Sequence, residues 1–424
     1  MEMANRTARG EAQAAAWPRH RFGVGAPFAL PSWVRQATLL AILLSLAYRA
    51  AILVWHTDLD LLRRYCDGGI NWNMAVNFAQ GRGFYVTDPG PGCSFQAAVG
   101  PSHHFSPLMP LLEAAGSALF GPSRATADLV LFLISAGAVV VAFLCTADLF
   151  GYDAGLVAGA LAGWEWTLRF YGTEVGYAES LVFLTLTLTL WAILRSLQQE
   201  RYIIWAGLFA GLGYLSKASV GWFFLIAGVG GLGWRLWHRG LATFRSQSYR
   251  IAIALFAVLF GIWALRNLHL FWDHTATGLL TQWQTSAYNA GVARHAFQHP
   301  ADLGTALLLK APLLALAPLP LLVPLWPNFR QAFRLWRRED VSGIALAALL
   351  FFLLGWLFSS AFYLVEGGRW FWLHHIRYVS PVILPLAWLA MGYGQQPFSL
   401  WRWTLCGAWL LLYHPLLHHL VPFS

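Results

Sequence analysis

The sequence predicts an all-α fold, a polytopic integral membrane helical bundle of about eleven transmembrane helices, whose large first extracytoplasmic loop contains juxtamembrane helices. Three observations predict it. Of the 424 residues, 58% are hydrophobic and only 11% are charged, a balance foreign to water-soluble globules. The apolar residues gather in runs, most of them long enough to cross the ~30 Å hydrocarbon core. Many runs end in Trp, Tyr or Arg, as interfacial anchoring requires, and this accounts for most of the 23 tryptophans. The formal net charge of +9 raises nucleic acid as a partner. The basic residues, however, lie in short connections between apolar runs and form no aromatic-interleaved face, which argues against that partner.

The expected spans run at about 36–56, 128–149, 153–170, 178–196, 202–216, 219–235, 250–269, 304–326, 341–364, 378–394 and 400–420. Residues 1–33 are read as a polar, disordered cytoplasmic N-terminus, and 34–424 as the transmembrane domain. The first apolar run lacks a small-residue cleavage site and is expected to be retained as a span. Basic connections stand before that span, at 195–201, at 234–250 and at 328–340. If "PLMPLLEAAGSALFG" (107–121) lies along the interface instead of crossing, all four fall on one side, which the positive-inside rule makes cytoplasmic. That segment is short, carries Glu113 and opens with two prolines. The outer side then holds two long connections, 57–127 and 270–303, and the short "EGGRWFWLHHIR" (366–377). Long loops in a tightly connected protein usually carry function. A bacterial-type inner (plasma) membrane with an extracytoplasmic site is the expected setting.

On that outer face the alternation collects Asp58, Asp60, Asp67, Glu179, His103 and His104, with Lys217, Arg266 and Arg377. Carboxylates beside cations near a membrane surface suit one reaction type: a base activates a hydroxyl while cations hold a departing phosphate. A lipid-linked phosphosugar supplies both parts.

The stretch "CDGGINWNMAVNFAQGRGF" (66–84) resembles the first-loop signature of GT-C superfamily glycosyltransferases, an Asp followed by A-x-N-[LF]-A-x-G-x-G-F. Further segments are similar in order. "HHFSPLMPLLEAAGSALFG" resembles the Pro-Pro-Leu segment, with Ser106 where the first proline usually stands. "RFYGTEVGYAESLVF" resembles the aromatic-then-Glu start of a later span, which puts Glu179 at the family's Glu. "AGLGYLSKASVG" resembles the Leu-[Ser/Thr]-Lys segment, "IWALRNLHLF" the W-x-x-R-N segment, and "IRYVSPVILP" the R-Y-x-x-P-x-x-P segment. The resemblance covers roughly residues 36–395 and lies with protein O-mannosyltransferases, the lipid A aminoarabinose transferase and bacterial undecaprenyl-phosphate-sugar transferases. It implies inverting transfer of a monosaccharide from a polyprenyl-phosphate donor to a lipid, glycan or protein acceptor, with Asp67 at the catalytic acidic position. Membrane lipid is then a partner and nucleic acid is not.

Each candidate also has a plainer reading. Asp67 also reads as a solvated loop carboxylate or as the cap of a helix at about 69–79. Asp58 and Asp60 form a D-x-D, a metal ligand set in nucleotide-sugar enzymes or simply interfacial carboxylates. A monophosphate donor requires no cofactor, and a divalent cation is the alternative. Lys217, Arg266 and Arg377 bind the donor phosphate or anchor span ends. Glu179 positions substrate or complements a helix dipole. His103 and His104 assist the acceptor, or take a zinc reading that their adjacency disfavours. Gly81 and Gly83 read as turn glycines. Cys66 and Cys93 share the outer loop, where oxidation is permitted. The competing function is a transporter or flippase of lipid-linked saccharide.

Overall fold

The computed structural model describes residues 29–55, 66–88, 100–101, 106–169, 177–217, 244, 246–273, 298, 301, 326–327, 330–331, 333–335 and 383–393. Asp58, Asp60, His103, His104, Arg377 and Cys93 lie outside the described residues, as do the expected spans at 219–235, 341–364 and 400–420 and most of that at 304–326.

Apolar sequence without helix breakers gives long helices. They are α1 (Ser32–Trp55), α2 (Cys66–Ala79), α3 (Leu108–Phe120), α4 (Arg124–Phe150), α5 (Tyr152–Trp164), α6 (Trp166–Arg169), α7 (Glu179–Ser196), α8 (Ile203–Ser216), α9 (Gln247–Asp273) and α10 (Ile383–Tyr393). Four of them contain stretches long and apolar enough to cross a membrane: Ser32–Leu53, Ala125–Phe150, Glu179–Ser196 and Gln247–Asn267. Helix α3, with 13 residues, is about 20 Å long and too short to cross alone. The one described sheet is a two-residue hairpin in which β1 (Tyr85–Val86) pairs antiparallel with β2 (Gly100–Pro101).

The core lies between α1, α4, α5, α7 and α10. Helix α5 enters it on a stripe of small residues, Gly155, Gly159 and Gly163, spaced four apart so that they share a face. A Cβ on Gly155 would meet Ala147 Cβ at 2.7 Å, and one on Gly163 would meet Ser45 Oγ at 2.5 Å. In lipid, where apolar burial between helices gains little, such close backbone approach is what holds helices together. Trp388 of α10 is fully buried and donates from Nε1 to Thr146 Oγ1 at 2.7 Å.

Arg49 stands inside the apolar run of α1 with only 1% exposure. Its Nε donates to Ser135 Oγ at 2.7 Å, and its Nη1 donates to the carbonyls of Gly163 at 2.8 Å and Ser45 at 3.2 Å. A charge at this depth persists only when the protein replaces its water; here it pins α1 to α4 and to the end of α5.

The expected span at 153–170 is interrupted. Helix α5 stops at Trp164, Glu165 turns extended at φ −59 and ψ 123, and its buried carboxylate Oε2 accepts from the Leu168 amide at 2.7 Å, starting α6. A side-chain acceptor three residues ahead offers the backbone an alternative to continuing the helix.

The charges separate by end of the bundle. At one end Arg35 pairs with Asp153 at 2.7 Å, Arg195 pairs with Asp148, and Ser246 bonds Glu200. The other end collects α2, α3, the start of α7 and the ends of α8 and α9.

Candidate active site

Helix α2 is seated by its own sequence. Ile70, Asn71, Met74 and Ala75 are buried, and Trp72 packs on a cluster of Met109, Ala127, Leu131 and Leu181, beside Ala178. This places α2 on α3, α4 and the first turn of α7. Asp67 lies in the first turn of α2 and is partly buried. The helix starts before it, so Asp67 is a first-turn carboxylate facing the favourable end of the dipole and not the cap.

The far end of α2 explains the A-x-N-x-A-x-G-x-G-F pattern. Gly81 and Gly83 take φ of 77° and 73°, a region where only glycine sits without strain. The Arg82 amide donates to the Asn77 carbonyl at 2.9 Å, and the chain reverses. Asn77 Nδ2 then donates to the Tyr85 carbonyl at 2.7 Å, and Asn73 Oδ1 accepts from the Thr87 amide at 2.8 Å. The two amides, four residues apart on one face, hold β1 against the helix that carries Asp67.

Glu179 opens α7 and Lys217 closes α8. Lys217 Nζ donates to Glu179 Oε1 at 2.6 Å, with side-chain exposures of 19% and 6%. The backbone of Lys217 is extended, at φ −156 and ψ 111, so the side chain leaves the helix axis and reaches its partner. The preceding turn is tied to the segment that leads into α3, because Ser106 Oγ donates to the Tyr214 carbonyl at 3.4 Å. Ser106, the departure from the familiar Pro-Pro-Leu pattern, is thereby buried and bonded.

Arg266 stands in the penultimate turns of α9. Its guanidinium lies 4.3 Å from the Trp263 ring centroid and 5.6 Å from that of Phe84. Nη1 donates to Asn267 Oδ1 at 2.9 Å, and Nη2 to the Phe84 carbonyl at 3.4 Å. This side chain therefore meets the turn that ends α2.

Of the sequence-derived candidates, the structure brings Glu179 and Lys217 into direct contact. It joins Arg266 to the turn after Asp67 and seats the Asp67 helix on the turn that carries Glu179. Asp58, Asp60, His103, His104 and Arg377 belong to the undescribed residues. Cys66 begins α2, while its expected partner Cys93 is undescribed. Among the described residues no group of three His, Cys, Asp or Glu side chains comes together as a metal site. Sequence reasoning missed the roles of Asn73, Asn77, Phe84 and Trp263. It also missed Arg49, which the rarity of ionisable residues inside apolar spans would have flagged.

Chemically, the described part of this end presents a carboxylate at a helix start, a guanidinium held between rings, and an ammonium already balanced by a carboxylate. Cations near a membrane surface suit a phosphate, and Arg presents a planar fork that binds it in two places.

Residues 103–263, less than half of the chain, match the family described as dolichyl-phosphate-mannose-protein mannosyltransferase. No curated protein matches the chain. The crystal structure of ArnT from Cupriavidus metallidurans in the apo state is similar with a TM-score of 0.49 and 16% identity, over 84% of this chain and 59% of that one. ArnT from the same organism bound to undecaprenyl phosphate gives a TM-score of 0.51 at 16% identity, over 92% of this chain and 65% of that one. The chain thus spans less than two thirds of the length of the solved ArnT chain. The four apolar helices and the likeness to ArnT bound to undecaprenyl phosphate identify the fold: this chain folds as ArnT does over 92% of its length.

Proposed function

We propose that the chain is an integral membrane glycosyltransferase that moves a monosaccharide from a polyprenyl-phosphate donor to a lipid, glycan or protein acceptor at the extracytoplasmic face of a bacterial-type inner membrane. The observation that carries this reading is the convergence at one end of the bundle: the Asp67 helix, the Glu179–Lys217 pair and Arg266 share it. The match of residues 103–263 to a family of dolichyl-phosphate-mannose transferases and the undecaprenyl phosphate held by ArnT support the donor class.

In the proposed reaction Asp67 removes the proton from the acceptor hydroxyl as its oxygen attacks the anomeric carbon. The bond from that carbon to the phosphate oxygen breaks on the opposite face, so configuration inverts, and polyprenyl phosphate departs. Lys217, Arg266 and Arg377 neutralise the charge that grows on the leaving phosphate, where preorganised cations in a dry site act most strongly. Glu179 holds Lys217 in reach and keeps the pair neutral until phosphate arrives. Asp58, Asp60, His103 and His104 are proposed to position the acceptor. The donor needs no cofactor in this scheme, and a divalent cation at Asp58 and Asp60 is the variant of it.

The test is product formation against movement. Protein purified into proteoliposomes is given a labelled polyprenyl-phosphate monosaccharide and a membrane acceptor fraction. Label appearing in an acceptor supports the transferase; intact lipid-linked sugar crossing the bilayer with no product would establish the transporter instead.

A further inference from the structure

We propose that Phe84 and Trp263 form an aromatic seat that fixes the Arg266 guanidinium at the donor phosphate, making Phe84 a positioning residue for donor binding; this rests on the phosphate role of Arg266 given above. Two sequence segments, Gly-x-Gly-Phe and W-x-x-R-N, whose Phe84 and Arg266 lie 182 residues apart, thereby build one device.

The geometry is specific. Trp263 and Arg266 are three apart on α9, so their side chains share a face, and the guanidinium lies 4.3 Å from the indole centroid. Phe84 meets Trp263 edge-on, with ring centroids 5.6 Å apart and planes at 85°, and so forms a second wall 5.6 Å from the same guanidinium. Phe78 stacks on Phe84, with ring centroids 4.7 Å apart and planes at 28°. Trp263 is buried at 3% exposure, while Arg266 is partly exposed. An Arg at the end of an apolar helix ordinarily extends its stem toward water. Here two aromatic faces and the Phe84 carbonyl keep it inward, at the same turn that Asn73 and Asn77 fasten to the Asp67 helix.

Two consequences follow. The guanidinium is oriented before donor arrives, so little of its rotamer freedom is lost on binding. Its hold also depends on a loop residue, so loosening the loop weakens phosphate binding without touching any cation.

The experiment measures binding of undecaprenyl phosphate, and of undecaprenol as the control without phosphate, to detergent-purified full chain. The variants are Phe84→Leu, Phe84→Tyr, Arg266→Met and the double Phe84→Leu/Arg266→Met. Phe84→Leu is expected to weaken undecaprenyl phosphate about ten-fold, within the range of a desolvated cation–π contact. Phe84→Tyr, which keeps the ring, should stay near wild type, undecaprenol affinity should not change, and Phe84→Leu should add nothing once Arg266 is gone. The seat is overturned if Arg266→Met weakens the phosphate while Phe84→Leu does not. It is also overturned if the Phe84→Leu loss persists in the Arg266→Met background, which marks a general packing defect. If Arg266→Met itself leaves undecaprenyl phosphate binding intact, the phosphate role of Arg266 fails, and the seat with it.

Discussion

Breaking the Glu179–Lys217 pair should cost more than breaking the more exposed Arg195–Asp148 pair, and removing both charges together should cost much less. At 2.6 Å and an effective dielectric of about 20, the attraction is about 6 kcal/mol, most of it offset by the water both groups have given up. Glu179→Gln leaves an ammonium, and Lys217→Met a carboxylate, in a site where Glu179 is 6% and Lys217 19% exposed. Each single change should therefore destabilise by about 3 kcal/mol, toward the lower end for buried pairs because Lys217 keeps some water. The double variant, Glu179→Gln with Lys217→Met, should recover most of that loss. Thermal unfolding of all four proteins in one detergent reads the cycle, with each single variant lower in Tm by several degrees. Sugar transfer should stay low in the double variant even as its stability returns, because the cation proposed to meet the phosphate is absent. Single variants as stable as wild type, or a double variant whose loss equals the sum of the two, would refute the coupling.

Three other outcomes follow from the packing. Asn77→Ala removes the bond to the Tyr85 carbonyl and should cost about 1–2 kcal/mol; trypsin should then cut faster after the exposed Arg82, and an unchanged rate would count against this fastening. Gly207→Val would drive a side chain into the Ala252 backbone of α9, so α8 and α9 must separate; a loss of at least about 2 kcal/mol in unfolding is expected. Arg49→Met strips the hydrogen bonds to Ser135 and Gly163 while keeping much of the volume. It should destabilise by about 2 kcal/mol, because Ser135 Oγ and the Gly163 carbonyl lose this buried partner, whereas Arg49→Lys, which cannot reproduce the fork, should recover only part.

The helical bundle was legible because a bilayer demands long apolar runs, and those runs survive in any reading of the chain. Helices α1, α4, α7 and α9 stand within a few residues of the spans expected at 36–56, 128–149, 178–196 and 250–269. The break at Glu165 was not legible, since it depends on one carboxylate capping a neighbouring turn, a choice that hydropathy does not register. Asp67, Glu179, Lys217 and Arg266 stood out as charges beside apolar runs. Their pairing did not: which end of one helix meets which end of another is settled by tertiary packing, such as the extended backbone that turns Lys217 toward Glu179. Phe84 and Trp263 stood inside quoted segments, but their role as a seat for Arg266 escaped notice for the opposite reason. In a chain with 16% aromatic residues, a ring that seats a cation looks like any other ring in the interfacial belt. Asn73 and Asn77 carried a signal in their spacing of four, which puts both amides on one face of α2.

The most direct test of the proposed chemistry follows radiolabelled sugar from a panel of polyprenyl-phosphate monosaccharides, with wild type and Asp67→Asn side by side and the anomeric configuration of the product determined. The amide keeps the shape of the carboxylate but cannot take the acceptor proton, so transfer should fall roughly 10²–10⁴-fold with donor binding retained. The wild-type product should carry inverted configuration. An Asp67→Asn protein that transfers at the wild-type rate, or a product of retained configuration, would contradict the assignment of Asp67 as the base of an inverting transfer.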